Sequence, residues 1–132
     1  MTATDIAIGP KAIILVDDES DIVAIFKRAL EFAGYTVLGF TEPDKALEHV
    51  KSNRETCGLI ISDVRMPNIN GIELAKRVHQ INLAVPFVLM SAFDMANLEV
   101  PPELKIAAFL QKPAKAIELK NLVCRYLPLE EK

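Results

Sequence analysis

Acidic side chains stand at the ends of two apolar runs, where residues of this type could do chemistry. Asp63 closes the run that begins at Cys57, and Asp17 and Asp18 follow the run Ala12 to Val16. In an open α/β sheet, ligands bind outside the carboxyl ends of the strands. Three carboxylates brought together there repel one another unless a cation or protons neutralise them. Because Mg²⁺ prefers oxygen ligands of this kind, the acids predict a magnesium site.

Two further polar side chains follow apolar runs in the same way. Ser91 comes after the fourth predicted strand, and Lys112 comes after the fifth and precedes Pro113. A hydroxyl can donate a hydrogen bond to a phosphoryl oxygen, and an ammonium can pair with its charge. An acid beside Mg²⁺ can coordinate phosphates or accept a phosphoryl group itself. The acids, the hydroxyl and the lysine together therefore indicate Mg²⁺-assisted phosphoryl transfer.

The elements that must position these residues alternate between strands and helices. Apolar runs without polar alternation are typical of strands buried on both faces, and stretches with apolar residues at helical spacing separate them. Such alternation predicts an α/β fold with a parallel sheet and right-handed crossovers. The predicted strands are Ile13 to Val16, Tyr35 to Phe40, Leu59 to Ser62, Phe87 to Met90 and Ala107 to Leu110.

Several residues mark the ends of the predicted helices. Gly34 is expected to end the first helix as a left-handed cap. Thr41, with Asp44 three residues later, predicts a capping box for a helix through about Lys51. The segment Asp94 to Leu104 should hold the fourth helix, but it contains the pair Pro101-Pro102. Because proline disrupts a helix interior, this helix is expected to be short or irregular.

The composition describes one globular domain. The chain has 132 residues, of which 51% are hydrophobic and 25% charged, with a formal net charge of −3. This net charge does not indicate binding to nucleic acid or to a membrane surface. The sequence has no apolar run of the roughly 18 residues that span a bilayer and no signal peptide at its start, so a cytoplasmic protein is expected. Cys57 and Cys124 are expected to be buried free thiols, and His49 and His79 to be solvated on helix exteriors.

Four short motifs in this order resemble the receiver domain of two-component response regulators. Each motif is weak alone, but the four together, at fitting spacing, are specific. They are Ile14-Leu-Val-Asp-Asp-Glu19, Asp63-Val-Arg-Met-Pro67 with Gly71, Met90-Ser91-Ala92 and Phe109-Leu-Gln-Lys-Pro113. The resemblance covers residues 11–127, between tails at 1–10 and 128–132. It implies a flavodoxin-like, doubly wound sheet of five strands in the order 2-1-3-4-5.

The resemblance also implies a role for each matching residue. Asp63 would be the phosphoacceptor, taking a phosphoryl group from a sensor histidine kinase or a phosphotransfer protein. Asp18, Asp63 and the backbone carbonyl of Arg65 would bind Mg²⁺ directly, and Asp17 would bind it through water. Lys112 would hold a phosphoryl oxygen, Ser91 and Phe109 would be the switch pair, and the Lys112–Pro113 bond would be cis. Such a domain is expected to be no enzyme beyond its own phosphorylation and dephosphorylation. With no output domain expected after residue 127, it would either signal through protein contacts alone or be a receiver cut from a longer protein.

Other interpretations remain open for these residues. Taken alone, Asp17 and Asp18 could cap the first helix, and Phe109 could be core packing. An aspartate-nucleophile phosphohydrolase also needs an aspartate, Mg²⁺, a serine and a lysine, but it usually carries its second acid where this chain has Arg65. A flavin-binding flavodoxin would need a phosphate loop after the first strand, where the acids of this chain would repel a phosphate.

Overall fold

Five parallel strands form one sheet in the order 2-1-3-4-5, numbered along the chain, which confirms the predicted topology. The structure is a computed structural model that describes residues 11–81, 84–92 and 99–129. Every residue of the first strand, Ala12–Val16, is buried, as expected for an interior strand with helices on both faces of its sheet. The strands are β1 (Ala12–Val16), β2 (Thr36–Phe40), β3 (Cys57–Asp63), β4 (Phe87–Ser91) and β5 (Ala108–Gln111).

Four α-helices in the described ranges cover the two faces of the sheet. They are α1 (Ser20–Phe32), α2 (Pro43–Ser52), α3 (Gly71–Ile81) and α4 (Ala116–Tyr126). Successive strand residues point to opposite faces, so each face has its own apolar core. On one face Ile14 and Ile60 pack with α2 and α3, and on the other Leu15 and Ile61 pack with α1 and α4.

The end of α1 confirms the predicted glycine cap. Gly34 has φ +112°, its N–H donates to the Glu31 carbonyl, and the Tyr35 N–H donates to the Leu30 carbonyl. These two bonds form a Schellman motif, which satisfies carbonyls at the helix end. The predicted capping box of α2 is wrong. The helix begins at Pro43 after Glu42, which makes no side-chain cap bond, because proline at the first position sets the start of the helix.

The connection between β4 and β5 contains no helix in its described part, residues 99–107. A local backbone hydrogen bond joins the Leu104 N–H to the Pro101 carbonyl at 3.0 Å. Leu104 and Ile106 pack against the core. An irregular backbone is what the two prolines predict here, while residues 94–98 of the predicted segment lie outside the described residues.

The prediction that both histidines are solvated needs correction. His49 and His79 are not fully solvated: their rings are half-buried and lie against those of Phe40 and Phe87, at centroid distances of 5.7 and 6.2 Å. Each histidine ring lies beside an aromatic residue of a strand, Phe40 of β2 or Phe87 of β4.

The two cysteines are free, as predicted, but only one of them is fully buried. Burial raises the pKa of the Cys57 thiol to about 11, so this thiol stays protonated. Cys124 is half-buried and accepts a hydrogen bond of 3.2 Å from the Tyr35 hydroxyl. No helix in the described parts of the chain is both long and apolar enough to cross a bilayer.

Candidate functional site

The carboxyl ends of the strands bring the predicted acids and the lysine to one edge of the sheet. Asp17 follows β1, Asp63 is the last residue of β3, and Lys112 follows β5. Asp63 and Lys112 border a cleft of about 270 Å³. The cleft is lined by Asp18, Glu19, Asp63, Arg65, Ala92 and Lys112. This is the edge at which an open parallel sheet binds ligands.

Three carboxylates lie close together at this edge of the sheet. One oxygen from each of Asp17, Asp18 and Asp63 lies within 4.8 Å of the others. Asp17 is fully buried and Asp63 is 6% exposed, whereas Asp18 is open to solvent. The cluster therefore has two desolvated charges below and one solvated charge at its mouth.

Lys112 is the cation that faces these acids. Its Nζ lies 2.8 Å from Asp17 Oδ2 and 3.3 Å from Asp63 Oδ2, and Glu19 is farther away at 3.7 Å. Burial works to lower the pKa of Lys112, but the carboxylates of Asp17 and Asp63 outweigh it, and the net pKa is raised. The ammonium therefore remains charged and holds both buried acids.

One lysine does not balance the cluster. The pKa of Asp63 is raised because burial and the charge of Asp17, with a smaller contribution from Asp18, together outweigh the attraction of Lys112. Asp17 Oδ2 is buried and makes no hydrogen bond of good geometry. The charged group that it contacts is the Lys112 ammonium, with which it forms an ion pair. Asp17 Oδ1 accepts the Glu19 N–H at 2.9 Å.

These residues fit a Mg²⁺ ion. The donors are hard oxygens, they lie close together, and one buried carboxylate oxygen lacks a hydrogen bond. Mg²⁺ is usually held by one or two carboxylates together with waters and phosphate oxygens. Asp17, Asp18 and Asp63 could supply the carboxylates, and a further cation would offset the repulsion that raises the pKa of Asp63.

Two backbone hydrogen bonds hold the loop after β3 in place. The Val64 N–H donates to the Met90 carbonyl, and the Gly71 N–H donates to the Val64 carbonyl, each at 2.8 Å. Asn68 has φ +70°, a conformation that asparagine tolerates better than most residues. Arg65 is exposed on this loop and lines the cleft, where the sequence places it.

The remaining predicted residues lie at the ends of the neighbouring strands. Ser91 is buried at the end of β4, and its carbonyl accepts the Lys112 N–H at 2.8 Å. Phe109 on β5 is 46% exposed, so the interpretation as core packing is wrong. The Lys112–Pro113 peptide bond is cis, as the resemblance implies.

The sequence interpretation missed two residues that line the cleft. Glu19 comes within 3.7 Å of Lys112, and Ala92 forms part of the wall. Glu19 could have been found, because it follows the acid pair directly. Ala92 carries no chemical signal beyond its position after Ser91.

The sequence is similar to known receiver domains of response regulators. The sequence matches the family model of the response regulator receiver domain over residues 13–124. The phosphoglycerate transport system transcriptional regulatory protein PgtA of Salmonella typhimurium is 38% identical over 113 residues, which are 85% of this chain and 27% of PgtA. The response regulator receiver protein CpdR of Brucella abortus is 31% identical over 121 residues, which are 89% of this chain and 97% of CpdR.

Solved structures of receiver domains are also similar to this chain. The receiver domain of the hybrid histidine kinase CckA matches with a TM-score of 0.75 at 30% identity, over 88% of this chain and 98% of that chain. The chain spans 27% of PgtA and 34% of the alkaline phosphatase synthesis regulator PhoP of Bacillus subtilis, so it corresponds to a part of those proteins.

Proposed function

The chain belongs to the response regulator receiver family, and from that premise we propose that Asp63 is its phosphoacceptor. The observation that carries this proposal is the placement of one nearly buried carboxylate within 3.3 Å of a lysine and close to two further acids. The phosphodonor would be a sensor histidine kinase or a phosphotransfer protein. We place the receiver unit at residues 11–127, slightly beyond the 13–124 that the family model matches.

The proposed step is a displacement at phosphorus. An oxygen of the ionised Asp63 carboxylate attacks the phosphorus of a phosphohistidine, an O–P bond forms, and the P–N bond breaks with its electron pair going to the imidazole. Lys112 pairs with a phosphoryl oxygen, for which its raised pKa keeps it charged. Mg²⁺, held by Asp17, Asp18, Asp63 and the Arg65 carbonyl, would neutralise charge on the phosphoryl oxygens.

Ser91 and Phe109 are proposed to report the phosphorylation to partners. Ser91 ends the strand next to β3, from which its hydroxyl could donate to a phosphoryl oxygen. Phe109 lies on the neighbouring strand and is half exposed, so its ring can change position without first leaving the core. Movement of a large ring at this surface would alter what binds there.

The phosphohydrolase interpretation is not favoured, because the family match is to receivers. We therefore propose that the chain is no enzyme beyond its own phosphorylation and dephosphorylation. A cytoplasmic location is proposed as well, and direct binding of nucleic acid or membrane is not expected at a net charge of −3.

Small-molecule phosphorylation tests the assignment of Asp63. Acetyl phosphate with Mg²⁺ should add one phosphoryl group, detected by intact-mass spectrometry, and Asp63→Asn should abolish the addition. Asp44→Asn is the matched control, since Asp44 is an exposed aspartate in the first turn of α2, and it should be labelled like the wild type. Full labelling of Asp63→Asn would contradict the proposal, and steady turnover of p-nitrophenyl phosphate would instead favour a hydrolase.

A further inference from the structure

Two residues that take no part in the proposed chemistry contact the backbone carbonyl of Asp63. The Ser62 hydroxyl donates a hydrogen bond of 2.9 Å to this carbonyl oxygen. The α-carbon of Gly71 approaches so closely that a methyl group there would overlap the same oxygen. That methyl group would also lie 3.0 Å from a side-chain carbon of Leu89.

Gly71 also closes the loop that follows Asp63. Its N–H donates to the Val64 carbonyl at 2.8 Å, which joins the start of α3 to the residue after Asp63. This bond and the contact with the Asp63 carbonyl require the helix to begin directly against the end of β3. A side chain at position 71 would push α3 and the strand end apart. Only glycine allows this approach.

Ser62 is an unusual residue for its position. It is fully buried in β3, where it lies beside Val16 in register and between Ile61 and Asp63 in sequence. A buried hydroxyl is unfavourable unless it is hydrogen-bonded, and a small apolar residue would fill the core without that requirement. The Ser62 hydroxyl makes its bond to the residue that the proposed function makes the phosphoacceptor.

The orientation of the Asp63 carbonyl is coupled to the position of the Asp63 carboxylate. Rotation of the peptide unit after Asp63 would shift this residue and the loop that carries Arg65. The carboxylate now lies 3.3 Å from Lys112 and within 4.8 Å of Asp17 and Asp18, distances that a small shift would change. A misplacement of about 1 Å at a reacting group can lower a rate by up to roughly a hundredfold.

We propose that Ser62 and Gly71 are positioning residues that fix the Asp63 carbonyl, and thereby set the phosphoacceptor carboxylate against Lys112 and the acid pair. The proposal rests on the proposed function of Asp63 and adds to it the two residues that hold the nucleophile in place. Ser62 acts through a hydrogen bond, and Gly71 acts through the absence of a side chain.

Two variants and a matched control test the proposal on the full chain. Ser62→Ala removes the hydroxyl, and Gly71→Ala adds the overlapping methyl group. Gly58→Ala is the control, because its methyl group would lie 2.7 Å from a side-chain carbon of Lys11, which makes it another crowded position, near the opposite end of the same strand. Each protein is phosphorylated with acetyl phosphate at saturating Mg²⁺, its Mg²⁺ affinity is measured by NMR titration, and its melting temperature is recorded.

A positioning role predicts a specific pattern of results. The rate constant at saturating donor should fall about tenfold in Gly71→Ala and several-fold in Ser62→Ala, with little change in the donor concentration at half-maximal rate. Both variants should bind Mg²⁺ more weakly. Gly58→Ala should melt at a lower temperature but phosphorylate and bind Mg²⁺ like the wild type.

Three results would overturn the inference. The first is wild-type phosphorylation and Mg²⁺ affinity in both site variants, whatever their melting temperatures. The second is an equal loss in Gly58→Ala. The third applies if Gly71→Ala does not fold, so that only Ser62→Ala tests the inference. In that case, wild-type phosphorylation and Mg²⁺ affinity in Ser62→Ala would overturn it. A wild-type chain that takes no phosphoryl group would contradict the proposed function instead, and the Mg²⁺ affinities would still test the positioning of Asp63.

Discussion

At the scale of single residues, Asp63 carries its charge where the fold disfavours it. Burial and Asp17 raise its pKa, and Lys112 offsets only part of that effect. A residue chosen for stability alone at this position would be neutral. The carboxylate is instead held close to a cation and to acids that a metal could bridge, an arrangement that suits phosphoryl transfer and leaves the metal-free protein with an unfavourable charge.

Neutralising this residue should stabilise the metal-free protein. Between the ordinary pKa of an aspartate and the raised value in the fold, the native state binds the proton more tightly than the unfolded chain. Ionisation of Asp63 therefore lowers the free energy of unfolding as pH rises through this window, and the loss is complete above the raised pKa. Asp63→Asn should accordingly melt at a higher temperature than the wild type at pH 7 in EDTA, with the difference shrinking as pH falls.

Glu48→Gln is a suitable control for these melts, since Glu48 is an exposed acid in the middle of α2. It should change the melting temperature little at either pH. A lower melting temperature of Asp63→Asn at neutral pH would show that the attraction of Lys112 outweighs burial and the repulsion by Asp17, contrary to the direction of the pKa shift.

Residue types at strand ends predicted which charged side chains meet at the cleft, but not which residues contact the Asp63 backbone. Asp63 and Lys112 were predictable because packing alone rarely places a charged side chain directly after a buried strand. Ser62 and Gly71 were not singled out for holding Asp63, because their contacts with its carbonyl exist only once the loop after β3 has closed. The half-buried histidines His49 and His79 were misjudged because helical spacing does not show which aromatic ring lies beside a helix edge.

At the scale of elements, the cap of α1 depends on one backbone conformation. Gly34 has φ +112°, which side-chain-bearing residues rarely adopt. Gly34→Ala should lower the free energy of unfolding by about 1 kcal/mol and the melting temperature by roughly 4 °C. Gly34→Asn is the comparison variant and should lose less, because asparagine tolerates positive φ better than alanine. Equal melting temperatures for wild type and Gly34→Ala, by circular dichroism, would contradict the role of the cap.

Elements with strong apolar patterns were predicted within one or two residues, and weak end signals were not. The strand predicted at Ala107 to Leu110 lies at Ala108–Gln111, one residue later. The capping box at Thr41 failed because Pro43 competes for the helix start and its fixed φ prevails. The prolines at 101 and 102 did predict the irregular backbone, since their effect on helices is local and needs no tertiary context.

At the scale of the whole molecule, the sheet brings together residues that are far apart in the chain. Asp17, Asp63 and Lys112 follow or end three strands, and cores on both faces of the sheet hold those strands in place. Packing far from the cleft therefore keeps the acids close together despite the repulsion between their charges. Because the unfolded chain does not assemble these ligands, a metal that binds the cluster binds the native state.

Mg²⁺ should therefore raise the stability of the whole domain by mass action. At a hundredfold excess over the dissociation constant, the gain is about 2.7 kcal/mol, or roughly 10 °C in melting temperature for a domain of this size. Melts in MgCl₂ are compared with melts in NaCl of equal ionic strength, since screening alone also weakens repulsion among the acids. Asp17→Asn, which removes a buried acid from the cluster, should lose most of the Mg²⁺-dependent gain. Coincident melts in the two salts at millimolar Mg²⁺ would show that the cluster of Asp17, Asp18 and Asp63 is not a metal site, because a ligand that binds only the folded state must stabilise it.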